Sequence, residues 1–409
     1  MTTPRCSNLS ASNPCNCGNK IYVDLNQRIL AELSDLESRA ELRHLQTVHG
    51  IDFSSNDYLG LALDPRMKQA ILEGVECAAR VASTGSRLLS GHAEAWTVLE
   101  HDFAQWVGTE AALYFTSGYA ANVGLLSALL RPEDVVFSDS ANHASLIDGI
   151  RLTKCRRVVF PHLDLTFLED KLRRNASAPG ARLIVVESIF SMEGDRAPLA
   201  DLVCLAEKFG AQLIVDEAHA IGVRGPRGSG CVAEAGLSER VFATVHTCGK
   251  ALAAAGAFVC GSENLRRFLI NRARTFIFST ALPPYFASQV AAGMGLAAKA
   301  DAARARLAEL SAFLRSELRK NGFYIAGIDS QIIPVILGSN ETAVHISERL
   351  RNSGFGVRAI RPPTVPAGKA RLRLSLTAKH SEDILAELVA ALVYARNEYS
   401  TARAVSVSQ

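Results

Sequence analysis

The sequence predicts an α/β protein: a large domain with a mostly parallel sheet flanked by helices, then a smaller C-terminal α+β domain. Three observations lead there. Between positions 111 and 261, short apolar segments alternate with stretches of helical period, the pattern of β–α–β units whose crossover helices cover both faces of a parallel sheet. A long helical stretch, Pro284–Asn321, then separates this region from a second, shorter run of strand and helix patterns. The chain has 409 residues, enough for one large core and a smaller one.

In chain order, residues 1–20 are polar and lack an apolar segment, so they read as a disordered tail and not as a signal peptide. Cys15 and Cys17 form a C-x-C pair there, but no second Cys/His pair follows, and no metal site is expected. Residues 21–60 hold an N-terminal helix over Asn26–Leu45, with Ile29, Leu30, Leu33, Leu36 and Leu45 as its stripe, and a turn-rich lead-in, GIDFSSNDYLGL. The large domain is placed at 61–295. Its expected strands are Ala112–Thr116, Asp134–Ser138, Arg157–Phe160, Leu183–Ser188, Gln212–Asp216, Val241–Val245 and Phe258–Gly261, with helices such as Pro198–Phe209 between them. The small domain is placed at 296–396, with strands Ile332–Leu337 and Ala370–Leu376 and helices Thr342–Ser353 and Ser381–Ala395. A flexible tail, 397–409, is expected after it.

Composition narrows the function. Apolar residues at 48% and charged residues at 21% fit an ordinary globular protein, which excludes a disordered chain or a coiled coil. A net charge of +3 without a Lys/Arg stripe offers nothing to nucleic acid or an anionic membrane. Two charge-free stretches, Ala111–Leu130 and Thr275–Ala298, carry Asn122, Gln289 and the Pro283-Pro284 pair, and read as buried soluble structure. The nine cysteines are odd in number and lie mostly in apolar runs, so reduced thiols and a cytoplasmic location are expected.

Four segments carry chemistry. In QLIVDEAH (212–219) an apolar strand ends in Asp216, and His219 follows three residues later. Ligands bind beyond the carboxyl ends of parallel strands. Alone, Asp216 supports a metal ligand, a Walker-B-type acid, a pyridinium partner or a capping residue about equally. In TCGK (247–250) Lys250 closes an apolar strand and precedes small residues; partial desolvation there lowers an amine pKa and favours a nucleophile over a snorkelling surface Lys. In FTSGYAAN (115–122) a strand runs into a turn and a helix whose free N–H groups suit a phosphate, although Ser-Gly turns open many helices. In SANHAS (140–145) His143 follows a strand and is able to stack on a flat ring, while a lone His is more often structural.

Taken together the segments describe one pyridoxal 5′-phosphate (PLP) site. Gly118 and Tyr119 cradle the phosphate, His143 stacks on the ring, Asp216 faces the pyridine nitrogen, His219 donates near the phenolic oxygen, and Lys250 forms the Schiff base. In such sites the cofactor is the electron sink and the protein supplies orientation and charge.

The chain also resembles the α-oxoamine synthase family of fold-type I PLP-dependent transferases, from about Leu25 to about Leu392. The resemblance rests on FSSNDYLGL (53–61), TGSRLLSG (84–91), the DEAHA-x-G-x-x-G-x-x-G-x-G segment (216–230), T-x-G-K (247–250) and FSTALPP (278–284). It implies that Ser191, in IFSMEGD (189–195), contacts the cofactor and that Thr247 holds the phosphate. It also implies that Thr280 reaches the phosphate of a neighbouring subunit, hence a homodimer with shared active sites. Arg43, Asn56, His143, Arg361, Thr364 and Arg373 match substrate-side positions, with Arg373 assigned to the amino-acid carboxylate, where a bidentate fork fits. Arg371 is assigned instead to a strand of alternating charge. Within the family, AIRPPTVPAGKARLRLSLT (359–377) most resembles the members that condense L-alanine with a pimeloyl thioester, on acyl carrier protein or coenzyme A, in biotin synthesis. Ala253 and Ala255 stand where the family usually has Gly and Ser, which suggests a narrower cofactor pocket, and Trp96 stands where a His is common. The competing readings are a glycine-using relative such as a glycine C-acetyltransferase, a transaminase or racemase, and a catalytically silent protein on the same fold.

Overall fold

A computed structural model of the chain describes residues 24–327 and 329–407, with 402–407 described by backbone alone. The polar tail and its Cys15/Cys17 pair lie outside the described residues. Residues up to Gln46 and residues from Thr47 onward form two compact units.

In the first unit a helix spans Leu25–Ser38, capped by Asp24, whose side chain accepts from the Asn26 N–H. It stops seven residues short of the expected Leu45. Arg39 leaves helical geometry and Ala40 takes φ +53°, a left-handed conformation that ends a helix.

Among the described residues the second unit has twelve strands: β1 (Ile51–Asp52), β2 (Ala111–Phe115), β3 (Val135–Asp139), β4 (Arg156–Phe160), β5 (Arg182–Glu187), β6 (Gln212–Asp216), β7 (Ala243–Thr247), β8 (Ala257–Gly261), β9 (Ile332–Gly338), β10 (Phe355–Gly356), β11 (Ala359–Ile360) and β12 (Ala370–Ser375). Seven make the main sheet, in the order β2-β8-β7-β6-β5-β3-β4. All its pairs are parallel except the two made by β8. Both faces are covered, as a parallel sheet requires. Val185, Ile214 and Val245 face one apolar cluster, while Ile184, Val186, Leu213 and Val215 face the other.

The expected α/β class and mostly parallel sheet are therefore present, with strand ends shifted by one or two residues. The long helical stretch is broken in two, Phe286–Ala298 and Asp301–Lys320. At the break the Arg304 guanidinium donates to Ala297 O at 2.5 Å and Gly222 O at 3.1 Å, capping the first helix's exposed carbonyls. The C-terminal helix runs Glu382–Val407, past the expected Ala395. The short strands β1, β10 and β11 were not expected, because two residues carry no alternation to read.

In the C-terminal part, β11-β12-β9 form an antiparallel sheet. Arg371 and Arg373 do alternate with apolar Leu372 and Leu374, but neither arginine faces solvent. The turn at 190–195 covers the charged face. Arg371 donates to Met192 O at 2.9 Å and pairs with Glu193 at 3.2 Å. Period-two patterning marks two faces of a strand and does not say which is wet.

Candidate active site

Strands β5, β6 and β7 are neighbours and run in the same direction, so their last residues reach one edge together. Glu187 ends β5 in register with Asp216, which ends β6, and Thr247 ends β7. The helix Gly118–Leu129 begins at the same edge. Ser117 caps it, its Oγ accepting from the Ala120 N–H at 3.1 Å. The Gly118 and Tyr119 N–H groups belong to the first turn, which has no intrahelical acceptors for them. These elements enclose an open cavity of about 180 Å³, lined by the expected Gly118, Tyr119, His143, Asp216, His219, Thr247 and Lys250.

Lys250 sits in the reversal between β7 and β8. Cys248 N–H donates to Gly256 O at 2.9 Å and Ala253 N–H to Lys250 O at 2.9 Å. Gly256 has φ +86°, and a side chain there would collide with the Tyr114 hydroxyl. Burial pushes the Lys250 amine down to about 8, with the Asp216 and Glu187 carboxylates opposing and Arg373 assisting. The amine contacts His219 Nε2 at 2.9 Å.

His219 is held from both sides. Its Nδ1 meets the Tyr58 hydroxyl at 2.6 Å, and Tyr58 donates to Asn56 Oδ1 at 3.0 Å. With that proton committed to Asn56, Nδ1–H is the donor to Tyr58 and Nε2 is left as an acceptor facing Lys250. Burial, reinforced by the charges of Lys250, Arg373 and His143, holds His219 well below the usual imidazole range, so it is neutral. Nε2 therefore accepts from the amine.

Asp216 is buried, with Oδ2 accepting from Asn122 Nδ2 at 2.6 Å and Oδ1 from the Ala218 N–H at 2.8 Å. Each carboxylate oxygen accepts two hydrogen bonds, so capacity remains for a further cationic donor. His143 caps the helix Ala144–Arg151, its Nδ1 accepting from the Ser145 N–H at 3.2 Å. That leaves Nε2–H as its free donor.

Other expected residues lie outside the cavity lining. Ser191 stands one layer back. Its N–H donates to Glu187 Oε2 at 3.2 Å and its carbonyl accepts from Arg373 Nε at 2.6 Å. Arg373 also donates to Ser375 Oγ at 2.6 Å and lies close enough to lower the Lys250 and His219 pKa values. Asn56 connects to the site through Tyr58. Thr280 and Thr364 are exposed and Arg361 is half-buried, none of them against the cavity. Arg43 belongs to the first unit. Ala253 and Ala255 do not line the cavity, so their side chains do not narrow it in this structure.

Several residues of the site were not assigned from sequence. Asn122 lies one helical turn after Gly118, which puts it on the face that meets Asp216. Glu187 ends the apolar run LIVVE as Asp216 ends LIVD, a signal that was legible. Its carboxyl is buried with Oε1 unpartnered, and burial together with Asp216 holds its pKa well above the ordinary range. Tyr58 and Gln331, which donates to His219 O at 2.8 Å, come from distant segments.

The donor set fits PLP. A helix N-terminus with the Thr247 hydroxyl beside it offers a phosphate cradle. A Cβ on Gly118 would come within 3.5 Å of Thr247 Oγ1 and fill that space. An amine, a carboxylate and an imidazole line the remainder.

The sequence matches the family model Aminotransferase class I and II over residues 48–392. An 8-amino-7-oxononanoate synthase from Geobacter sulfurreducens is 43% identical over 383 residues, covering 90% of this chain and 97% of its own length. Among solved structures, a serine palmitoyltransferase from S. paucimobilis with bound PLP-myriocin superposes with a TM-score of 0.86 at 28% identity, over 93% of this chain and 100% of that one. An 8-amino-7-oxononanoate synthase from Francisella tularensis superposes with a TM-score of 0.74 at 29% identity, over 86% and 99%.

Proposed function

Because this chain belongs to the aminotransferase class I and II family, we propose that it uses PLP to condense L-alanine with a pimeloyl thioester. The products are 8-amino-7-oxononanoate, CO2 and a free thiol, in biotin biosynthesis. The observation that carries the chemistry is the Lys250 amine, its pKa lowered to about 8, in one cavity with Asp216 and a phosphate cradle.

Gly118, Tyr119 and Thr247 hold the phosphate, and Thr280 of a second subunit completes that end in a homodimer. When bound through Lys250, PLP withdraws electron density from the amino acid's Cα. Asp216 sets its negative charge against the ring nitrogen, and Asn122 and the Ala218 N–H keep the carboxylate aimed. His143 would stack on one face of the ring, with its Nε2–H available to a substrate oxygen. Arg373 takes the alanine carboxylate, with Asn56 beside it, while Ser191 O and Ser375 Oγ fix the plane of its fork. Lys250 is also the base for the Cα proton, and the neutral His219 next to it supplies a lone pair where the amine's proton is held. The new carbon–carbon bond forms between Cα and the thioester carbonyl as the thiol departs, and the alanine carboxyl group leaves as CO2. Arg361 serves the far end of the acyl chain, with Thr364 on the substrate side. Acyl carrier protein and coenzyme A are the candidate carriers, and the reaction belongs to the cytoplasm.

The experiment is a matrix of amino acids against acyl thioesters, followed by CO2 and thiol release. Thiol release coupled to CO2 is expected only with L-alanine and a pimeloyl thioester. Equal or faster turnover with glycine would overturn the choice of amino acid, and product without a thioester would overturn the reaction class.

A second test uses pH. Only the unprotonated amine attacks an aldehyde, so the rate constant for PLP capture by the cofactor-free protein is expected to rise about tenfold per unit below pH 8 and to level off above it. Stopped-flow absorbance reads this rate. A rise that continues to pH 10 would mean an unperturbed lysine.

A further inference from the structure

The turn that carries Ser191 is built as a part held from outside. The antiparallel bridge Ile189–Arg196 closes it, and the Phe190 N–H donates to Asp195 O at 3.0 Å. At its tip Gly194 has φ +66°, and a Cβ there would run into Ile332 O, so only glycine fits against the antiparallel sheet. Ser330 Oγ donates to Gly194 O at 2.5 Å, and Arg371 holds Met192 O and Glu193. These contacts fix the side of the turn that faces β9 and β12.

On the side facing the main sheet the Ser191 N–H reaches Glu187 Oε2 at 3.2 Å, and a second tie is made by His162. It follows the end of β4, and its two ring nitrogens face two carboxylates. Nδ1 lies 2.9 Å from Asp139 Oδ1, at the end of β3, and Nε2 lies 2.9 Å from Asp195 Oδ2, in the turn. Its ring packs edge-on against Phe190 at 4.4 Å between centroids. Asp139 is itself immobilised, because it also accepts from the Ala141 and Leu163 N–H groups at 2.8 and 2.9 Å. Two carboxylates require two donors, so the ring is an imidazolium. Burial opposes that charge, and the two carboxylates outweigh it, raising His162 to about 10.

We propose that His162 is a positioning residue for the amino-acid carboxylate: it ties the Ser191 turn to the end of the main sheet, so that Ser191 O holds Arg373 at the angle needed to receive a carboxylate. The connection runs from Asp139 through His162 to Asp195 by side-chain contacts, passes to the neighbour of Ser191 through the Phe190 N–H···O bond to Asp195 at 3.0 Å, and ends on the Arg373 Nε–H···O bond to Ser191 at 2.6 Å. The proposal rests on the reading that Arg373 takes the carboxylate.

The test compares two ligands of the PLP-loaded protein: L-alanine, and ethylamine, which has the same amine without the carboxylate. Dissociation constants are read from the absorbance change of the bound cofactor, with no thioester present. His162→Ala is expected to weaken L-alanine by about tenfold, the scale of one charge-assisted hydrogen bond, and to leave ethylamine within about twofold. Asp195→Asn, which keeps the fold's buried Asp139–His162 contact, is expected to shift L-alanine the same way by a smaller factor. In steady state the loss falls on the KM for L-alanine and not on kcat. Arg373→Ala serves as the reference and is expected to erase the preference for L-alanine over ethylamine. If Arg373→Ala erases that preference while His162→Ala and Asp195→Asn preserve it, the positioning role is wrong. If the His162 variant weakens both ligands equally, its role is merely structural and the proposal is overturned. If Arg373→Ala keeps the preference, the carboxylate reading itself fails and the proposal falls with it.

Discussion

Replacing Lys250 by alanine is expected to abolish turnover and to remove covalently held PLP from the protein. The residue combines two functions at one atom. In the proposed mechanism the amine is the attachment point and, once free, the base for the Cα proton. A positioned base alone contributes roughly 10²–10⁴-fold, and loss of attachment adds to that, so the fall in kcat should be roughly 10³-fold or more. Absorbance after gel filtration and a single-turnover assay measure the two effects separately. A small amine added to the variant should restore part of the rate, because the substitution leaves room for it in a cavity otherwise unchanged. A variant that kept both its colour and its turnover would remove Lys250 from the site.

Asp216→Asn should separate binding from chemistry. The substitution preserves shape, and the Ala218 N–H retains an acceptor at Oδ1. The phosphate cradle and Lys250 are untouched, so PLP should still load. The lost charge, however, is the one proposed to face the ring nitrogen. Removing a preorganised electrostatic partner commonly costs about 10²–10³-fold, and exchange of the alanine Cα proton should slow by roughly that factor. Deuterium incorporation into L-alanine, followed by NMR in D2O without thioester, isolates this step. An unchanged exchange rate would assign Asp216 to packing, and Asn122 would then be the group to examine.

Only part of this site is written locally in the sequence. Asp216 and Lys250 were legible because each is a charge at the end of an apolar run, a pattern that folding converts directly into a cavity edge. Gly118 was legible as a turn that opens a helix after a strand, and Thr247 through the family resemblance alone. Glu187 sends the same signal as Asp216 and went unassigned. Tyr58 could not have been found this way. It meets His219 across 161 residues of chain, and in the sequence it is one aromatic in a turn-rich segment. The arginines of β12 show a different limit. Their alternation was correct, but the turn at 190–195 that covers them comes from a distant part of the chain, so the charged face reads as solvated until the fold is known. Helix ends failed where capping is tertiary, as at Arg304, or where one residue turned left-handed, as at Ala40.

The location of Lys250 between β7 and β8 has one further consequence. Both ends of its loop are sewn into the main sheet, and both flanking strands are central ones. The main chain at Lys250 is therefore a fixed anchor. Whatever travel the amine needs, between holding the cofactor and standing aside as a base, comes from rotation about its four methylenes alone. Such an arm returns to the same point after every cycle, and lengthening or shortening it by one carbon alters its reach without disturbing its root.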